Sequence, residues 1–182
     1  MKLSDFSVVL LDIEGTTSPI SFVHEVMYGY ARRELLGFLT RNLNVRSLGP
    51  LWDSIAKESG AENLEALAEQ LNATPIEALK RTAERMMDAD AKATALKELQ
   101  GQIWKAGFEA GELKSKVFED VPRALERWTA AGLDVRIYSS GSAVAQKVFF
   151  THTEFGDLRR FLSGYYDTTT CLLYTSPSPR DS

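Results

Sequence analysis

Residues Val8–Thr17 read VVLLDIEGTT, with two carboxylates, Asp12 and Glu14, two positions apart where an apolar run gives way to Gly15, Thr16 and Thr17. A second polar group, Ser139, Ser140, Gly141 and Ser142, follows the run DVRIY. Two acids offer the hard oxygens that a divalent cation takes. Hydroxyls beside a glycine, together with loop N–H groups, suit the oxygens of a phosphate. Phosphoryl chemistry needs both kinds of group, one to supply or balance negative charge and one to hold the anion. His24 and His152 are isolated in the sequence and read as packing or surface residues rather than metal ligands. Trp52, Trp104 and Trp128 read as packing residues of the core or between helices.

For these groups to meet, the elements before them must end at one edge. Phe6–Leu11 is short, apolar and rich in Val and Leu, the pattern of a strand buried on both faces of a parallel sheet. From Phe22 to about Thr40, Val23, Val26, Met27, Tyr30, Leu35, Phe38 and Leu39 recur at helical spacing. Leu48–Gly107 reads as helical almost throughout. Within it Thr74, Pro75 and Glu77 give a cap, a first-turn proline and a capping box. Leu96, Leu99, Ile103 and Trp104 mark the apolar side of a further helix over Asp90–Phe108. A helix over Val121–Ala131 is closed by Gly132, a strand follows at Asp134–Tyr138, AVAQKVFFTHT resumes a helix, and LSGYYDTTT suggests a third strand. This order predicts an α/β, Rossmann-like parallel sheet with a helical insertion after its first strand. In such sheets ligands bind beyond the carboxyl ends of the strands, which brings Asp12/Glu14 and Ser139/Ser140 to the same edge. The helix after Gly141 is expected to aim its positive end at the anion, and Gly141 to leave the loop unobstructed.

The 182 residues are 44% hydrophobic and 25% charged with a net charge of −4, the balance of a soluble globular protein. That charge argues against a nucleic-acid partner. No stretch approaches about 18 consecutive apolar residues, and the N-terminus lacks the features of a signal peptide, so no membrane association is expected. A cytoplasmic protein is expected, and a monomer. The single cysteine, Cys171, excludes an internal disulfide.

LLDIEGTT resembles the first motif of the haloacid dehalogenase superfamily of phosphatases, and VRIYSSGS resembles its second, a strand ending in a phosphate-binding Ser or Thr. The resemblance narrows through Glu14, in place of a second aspartate, and through TTSPISFVHEVMYGYARREL, KATALKELQGQIWKAGF and YSSGSAVAQKVFF. Over residues 7–170 the chain is similar to the acireductone synthases, the enolase-phosphatases of methionine salvage. The resemblance implies a fold of the haloacid dehalogenase type, with core residues 1–20 and 115–170 and a helical cap over 21–114. It also implies enolisation and then dephosphorylation of 2,3-diketo-5-methylthiopentyl-1-phosphate through an aspartyl-phosphate, with one Mg²⁺ per subunit. Asp12 would be nucleophile and metal ligand. Glu14 would give its main-chain carbonyl to the metal and its side chain to proton transfer, and Ser139 and Ser140 would bind the substrate phosphate. In the cap, Lys92, Lys97, Gln100 and Trp104 are candidates to contact substrate.

Members of the family carry a lysine and a further acidic metal ligand downstream, expected here beyond Thr170. Residues 171–182, CLLYTSPSPRDS, instead resemble a translated adaptor used in preparing DNA for sequencing. The expectation is therefore a truncated core without its C-terminal strands, a non-native tail that includes Cys171, and a chain of low stability and little activity. Two alternatives stay open: a phosphatase of the same superfamily for another small phosphoester, and an inactive fragment.

Overall fold

In the computed structural model, residues 6–167 are described; the expected strand residues 168–170 and the tail 171–182 lie outside them. Strand β1 (Val8–Leu11) is followed by a π-helical turn over Phe22–Met27 and helices α1 (Tyr28–Asn42), α2 (Gly49–Glu58), α3 (Leu64–Gln70), α4 (Pro75–Asp88) and α5 (Thr94–Glu109). The chain continues through α6 (Val121–Ala130), β2 (Asp134–Tyr138), α7 (Ala143–Thr151) and β3 (Gly164–Tyr166). The three strands form one parallel sheet in the order β1-β2-β3. This is the α/β fold class read from the sequence, a parallel sheet with a helical insertion after its first strand.

The described residues divide into two units. One runs through Val23 and resumes at Ala110; the other is His24–Glu109. In the first, Val9 pairs with Val135 and Leu11 with Ile137, and Val135 and Ile137 are buried. Side chains alternate across a strand, so Val8 and Leu10 point to the opposite face, where they are 47% and 55% exposed. β1 is therefore not buried on both faces in this chain, as the expected loss of neighbouring strands implies. Among the described residues the strand is an edge of the sheet, and Asp134 and Arg136, paired at 2.6 Å, occupy the same face on β2.

The second unit is helical. Thr74 caps α4 by accepting the Glu77 N–H, and the Glu77 carboxylate accepts the Thr74 N–H at 3.0 Å. Leu35, Leu39, Ile55, Leu79, Leu99 and Ile103 form its buried interior with Trp52, whose indole N–H donates to the Leu43 carbonyl at 3.2 Å. Val26, expected on the apolar face with Val23 and Met27, is 44% exposed. It lies in the π-helical turn, whose i→i+5 bonding breaks the 3.6-residue rhythm that the expectation assumed. No helix among the described residues is long and apolar enough to cross a membrane.

Candidate active site

Both candidate loops leave the sheet at the carboxyl ends of neighbouring parallel strands. Leu11 pairs with Ile137, so Asp12 stands next to the register position of Tyr138, and Ser139 follows at once. Paired strands run about 4.8 Å apart, which sets the two loops side by side.

The first loop is built by its own main chain. The Ile13 carbonyl accepts the N–H groups of Thr16, Thr17 and Ser18 at 3.3, 3.0 and 2.9 Å, and the Gly15 N–H donates to the Ser18 carbonyl at 2.7 Å. Gly15 takes φ of +76°, and a Cβ there would also press on Ile20 at 3.2 Å, so the turn requires glycine. Thr17 adds a hydroxyl bond to the Asp12 carbonyl at 3.1 Å. Ser18 is fully buried and donates to the Lys116 carbonyl at 2.7 Å, while the Phe118 N–H donates to the Thr17 carbonyl at 3.0 Å. Asp12 is left exposed at the head of this turn, one carboxylate oxygen accepting the Ile13 N–H at 2.7 Å. Glu14 is half-buried in a short bridge to Ser18.

In the second loop Ser139 is buried, and its N–H donates to the Tyr166 carbonyl at 3.1 Å. Ser140 is exposed. Ser142 caps α7 by accepting the Ala145 N–H at 3.2 Å, and the Ala143 N–H donates to Asp167 Oδ2 at 3.2 Å. Two first-turn amides of α7 and the Ser139 N–H are thus already occupied, which leaves the N–H groups of Ser140–Ser142 and the loop's hydroxyls as the anion's natural partners. A Cβ at Gly141 would meet nothing within 4 Å, so this glycine borders open space, as a ligand loop requires.

The oxygens at this edge fit a magnesium ion. Mg²⁺ is hard, keeps several waters and is usually held by one or two carboxylates together with substrate phosphate. Asp12 supplies an exposed carboxylate for it. Among the described residues no group of three or more His, Cys, Asp or Glu side chains forms a closed metal cage.

The four candidates in the helical unit are placed unequally. Lys92 is exposed and bonds Asp90 at 2.8 Å, and Lys97 is exposed. Gln100 is buried, and the Trp104 indole N–H donates to the Met27 carbonyl at 2.7 Å. His24 is exposed, and a ring nitrogen of half-buried His152 lies 3.0 Å from the Val148 carbonyl. Sequence reasoning passed over Ser18, Gln146 and Asp167. Asp167 had a visible signal, because it follows the run LSGYY as Asp12 follows VVLL.

No family model matches the chain. Among curated proteins it is 46% identical over 172 residues to a probable bifunctional methylthioribulose-1-phosphate dehydratase/enolase-phosphatase E1 of Physcomitrium patens, covering 90% of this chain and 34% of that protein. It is 43% identical to the enolase-phosphatase E1 of Persephonella marina, covering 89% of this chain and 66% of the other. With the Aquifex aeolicus enolase-phosphatase E1 the identity is 41%, covering 88% and 67%. The chain thus spans about a third of the bifunctional relative and about two thirds of the shorter ones. Among solved structures it is similar to the UTR4 protein of Saccharomyces cerevisiae, with a TM-score of 0.69 and 29% identity over 91% of this chain and 68% of that one. At 41% identity over 88% of this chain and 67% of a curated enolase-phosphatase E1, the chain belongs to the enolase-phosphatase E1 (acireductone synthase) family.

Proposed function

We propose that this chain carries the phosphoryl-transfer site of a Mg²⁺-dependent enolase-phosphatase. Its substrate is the phosphorylated diketone 2,3-diketo-5-methylthiopentyl-1-phosphate, and its products are acireductone (1,2-dihydroxy-3-keto-5-methylthiopentene) and phosphate. The observation that carries this reading is the shared edge: an exposed Asp12 beyond β1 beside the Ser139–Ser140 loop beyond the adjacent parallel β2. The names of the relatives support the same reaction class.

In this reading Glu14 removes the proton beside the substrate carbonyl and passes it to the carbonyl oxygen, giving the enol. An Asp12 carboxylate oxygen then bonds to phosphorus as the bond from phosphorus to the substrate oxygen breaks, and Glu14, protonated again from water, gives its proton to that oxygen. Water next attacks the aspartyl-phosphate, Glu14 takes the water's proton, and Asp12 and phosphate are released. Splitting one hydrolysis into two transfers replaces a hard step by two easier ones. Ser139 and Ser140 hold the phosphate oxygens throughout. The Asp12 carboxylate and the Glu14 main-chain carbonyl would hold Mg²⁺, which when bound offsets the repulsion between nucleophile and phosphate. The helical unit serves as the cap.

The test follows the enediol's ultraviolet absorbance and phosphate release together, with the diketone substrate and Mg²⁺. Asp12→Asn is expected to abolish phosphate release and Glu14→Gln to suppress enediol formation. Phosphate release that survives Asp12→Asn would overturn the reading.

A further inference from the structure

Gln146 lies one turn into α7, on the side that buries Phe149 and Phe150, and is 1% exposed. An amide is an expensive group to bury there unless it is bonded. Its nitrogen donates to the Gly141 carbonyl at 2.7 Å and the Tyr166 carbonyl at 2.9 Å, and lies 3.5 Å from the Ser139 carbonyl. An amide NH₂ has two hydrogens, so the two short bonds take them and the third contact is marginal. Exchanging the nitrogen and oxygen would set Oε1 against three carbonyls, so the bonding pattern itself orients the group. Oε1 is buried without a partner among the described residues. Packing alone does not account for this residue, because Met or Leu would fill the space without an orphan oxygen.

The carbonyls it gathers come from two places: the segment leaving β2 and the end of β3. Ser139 N–H to Tyr166 and Ala143 N–H to Asp167 lace the same two segments together. We propose that Gln146 is the positioning residue of the Ser139–Ser142 phosphate loop, locking it to β3 so that its N–H groups and hydroxyls are aimed before the anion arrives. Preset donors spare the ligand the cost of ordering them. Gln146 acts through the loop and does not touch the phosphate. The inference rests on the reading of that loop as the phosphate site.

The test uses the 182-residue chain, ¹⁵N-labelled, titrated with inorganic phosphate at fixed Mg²⁺ while amide exchange is followed. Phosphate is expected to shift the amides of Ser139–Ser142. Gln146→Met should weaken that binding about tenfold, the equivalent of one lost hydrogen bond to the loop. It should also speed exchange at Ser139 and Ala143 while Val135 and Ile137 keep their protection. Gln146→Glu supplies a signature that space-filling cannot. Ionised, it repels the three carbonyls; protonated, it regains one O–H donor, so its deficit relative to the unmodified chain should shrink as pH falls. Unchanged binding and exchange in Gln146→Met, or a Gln146→Glu deficit that ignores pH, would overturn the proposal. If Gln146→Met loses the β2 protection altogether, the Gln146→Glu titration decides. Phosphate shifts confined to other residues would remove the phosphate reading, and unaltered loop exchange in the variants would then sink the positioning role as well.

Discussion

Gly107 in α5 sits against the ring of Tyr30 in α1. A methyl at position 107 would come within 2.5 Å of Tyr30 Cζ and Oη and 2.6 Å of Cε1. Gly107→Ala therefore sets two effects against each other. Replacing glycine inside a helix gains about 1 kcal/mol. Against this, carbon atoms prefer roughly 3.5–4.0 Å, so the new contact is about 1 Å too short at two ring carbons and the hydroxyl oxygen at once. Overpacking of a well-filled interior costs about 1–3 kcal/mol, and a rigid ring only 6% exposed belongs near the top of that range. The clash wins, and the net loss is about 1–2 kcal/mol. Urea unfolding followed by circular dichroism reads this as a lower midpoint at unchanged slope. In a Tyr30→Leu background the same substitution should cease to destabilise, since only the propensity gain remains. A Gly107→Ala chain as stable as the original, or more so, would refute the packing argument.

Three further outcomes are expected. Thr74→Ala removes the capping hydroxyl of α4 and should cost about 1 kcal/mol in the same urea experiment. The Tyr165 hydroxyl is buried without a partner among the described residues, and burial pushes its pKa up to about 12. Tyr165→Phe should therefore leave stability equal or higher. It should also remove a phenolate that appears in the ultraviolet only near pH 12; because the folded chain holds that proton more tightly than the unfolded one, the original chain should lose stability as pH rises from 10.0 to about 12, and Tyr165→Phe should not lose it there. The Asp134 carboxyl is held below its ordinary 3.8 by hydrogen bonds from Arg136 and Ser163. A lowered carboxylate stabilises the fold above its unfolded value and loses that effect as pH falls through the native one. Stability should consequently drop on acidification from 3.8 downward more steeply in the original chain than in Asp134→Asn, as read by acid titration of circular dichroism.

Punctuation explains what the sequence made legible. Strand β2 could be read to the residue because Gly132, with φ of +79°, closes one end and the Ser-Ser-Gly-Ser loop the other. The α4 cap was equally plain, since Thr74, Pro75 and Glu77 act on one another locally. The apolar run of β1 records what a strand can bury, not whether anything covers it, and Val8 and Leu10 stand open. The exposure of Val26 escaped because hydrophobic spacing assumes an α-helical period. At the candidate site, the residues proposed to bear the chemistry were readable as types at strand ends. The supports were not: Gln146 matters through carbonyls of residues 139, 141 and 166, and Ser18 through residue 116, and pairings that distant leave no local trace.

The bonds from Ser18 to Lys116 and from Phe118 to Thr17 have one more consequence. They join the outgoing and returning segments on either side of the His24–Glu109 unit, so the whole insertion hangs from a closed clasp. Loop-closure entropy grows only slowly with the length enclosed. What lies beyond the clasp can then lengthen, shorten or be exchanged for another module at little thermodynamic cost, while the Asp12 turn inside it keeps its shape.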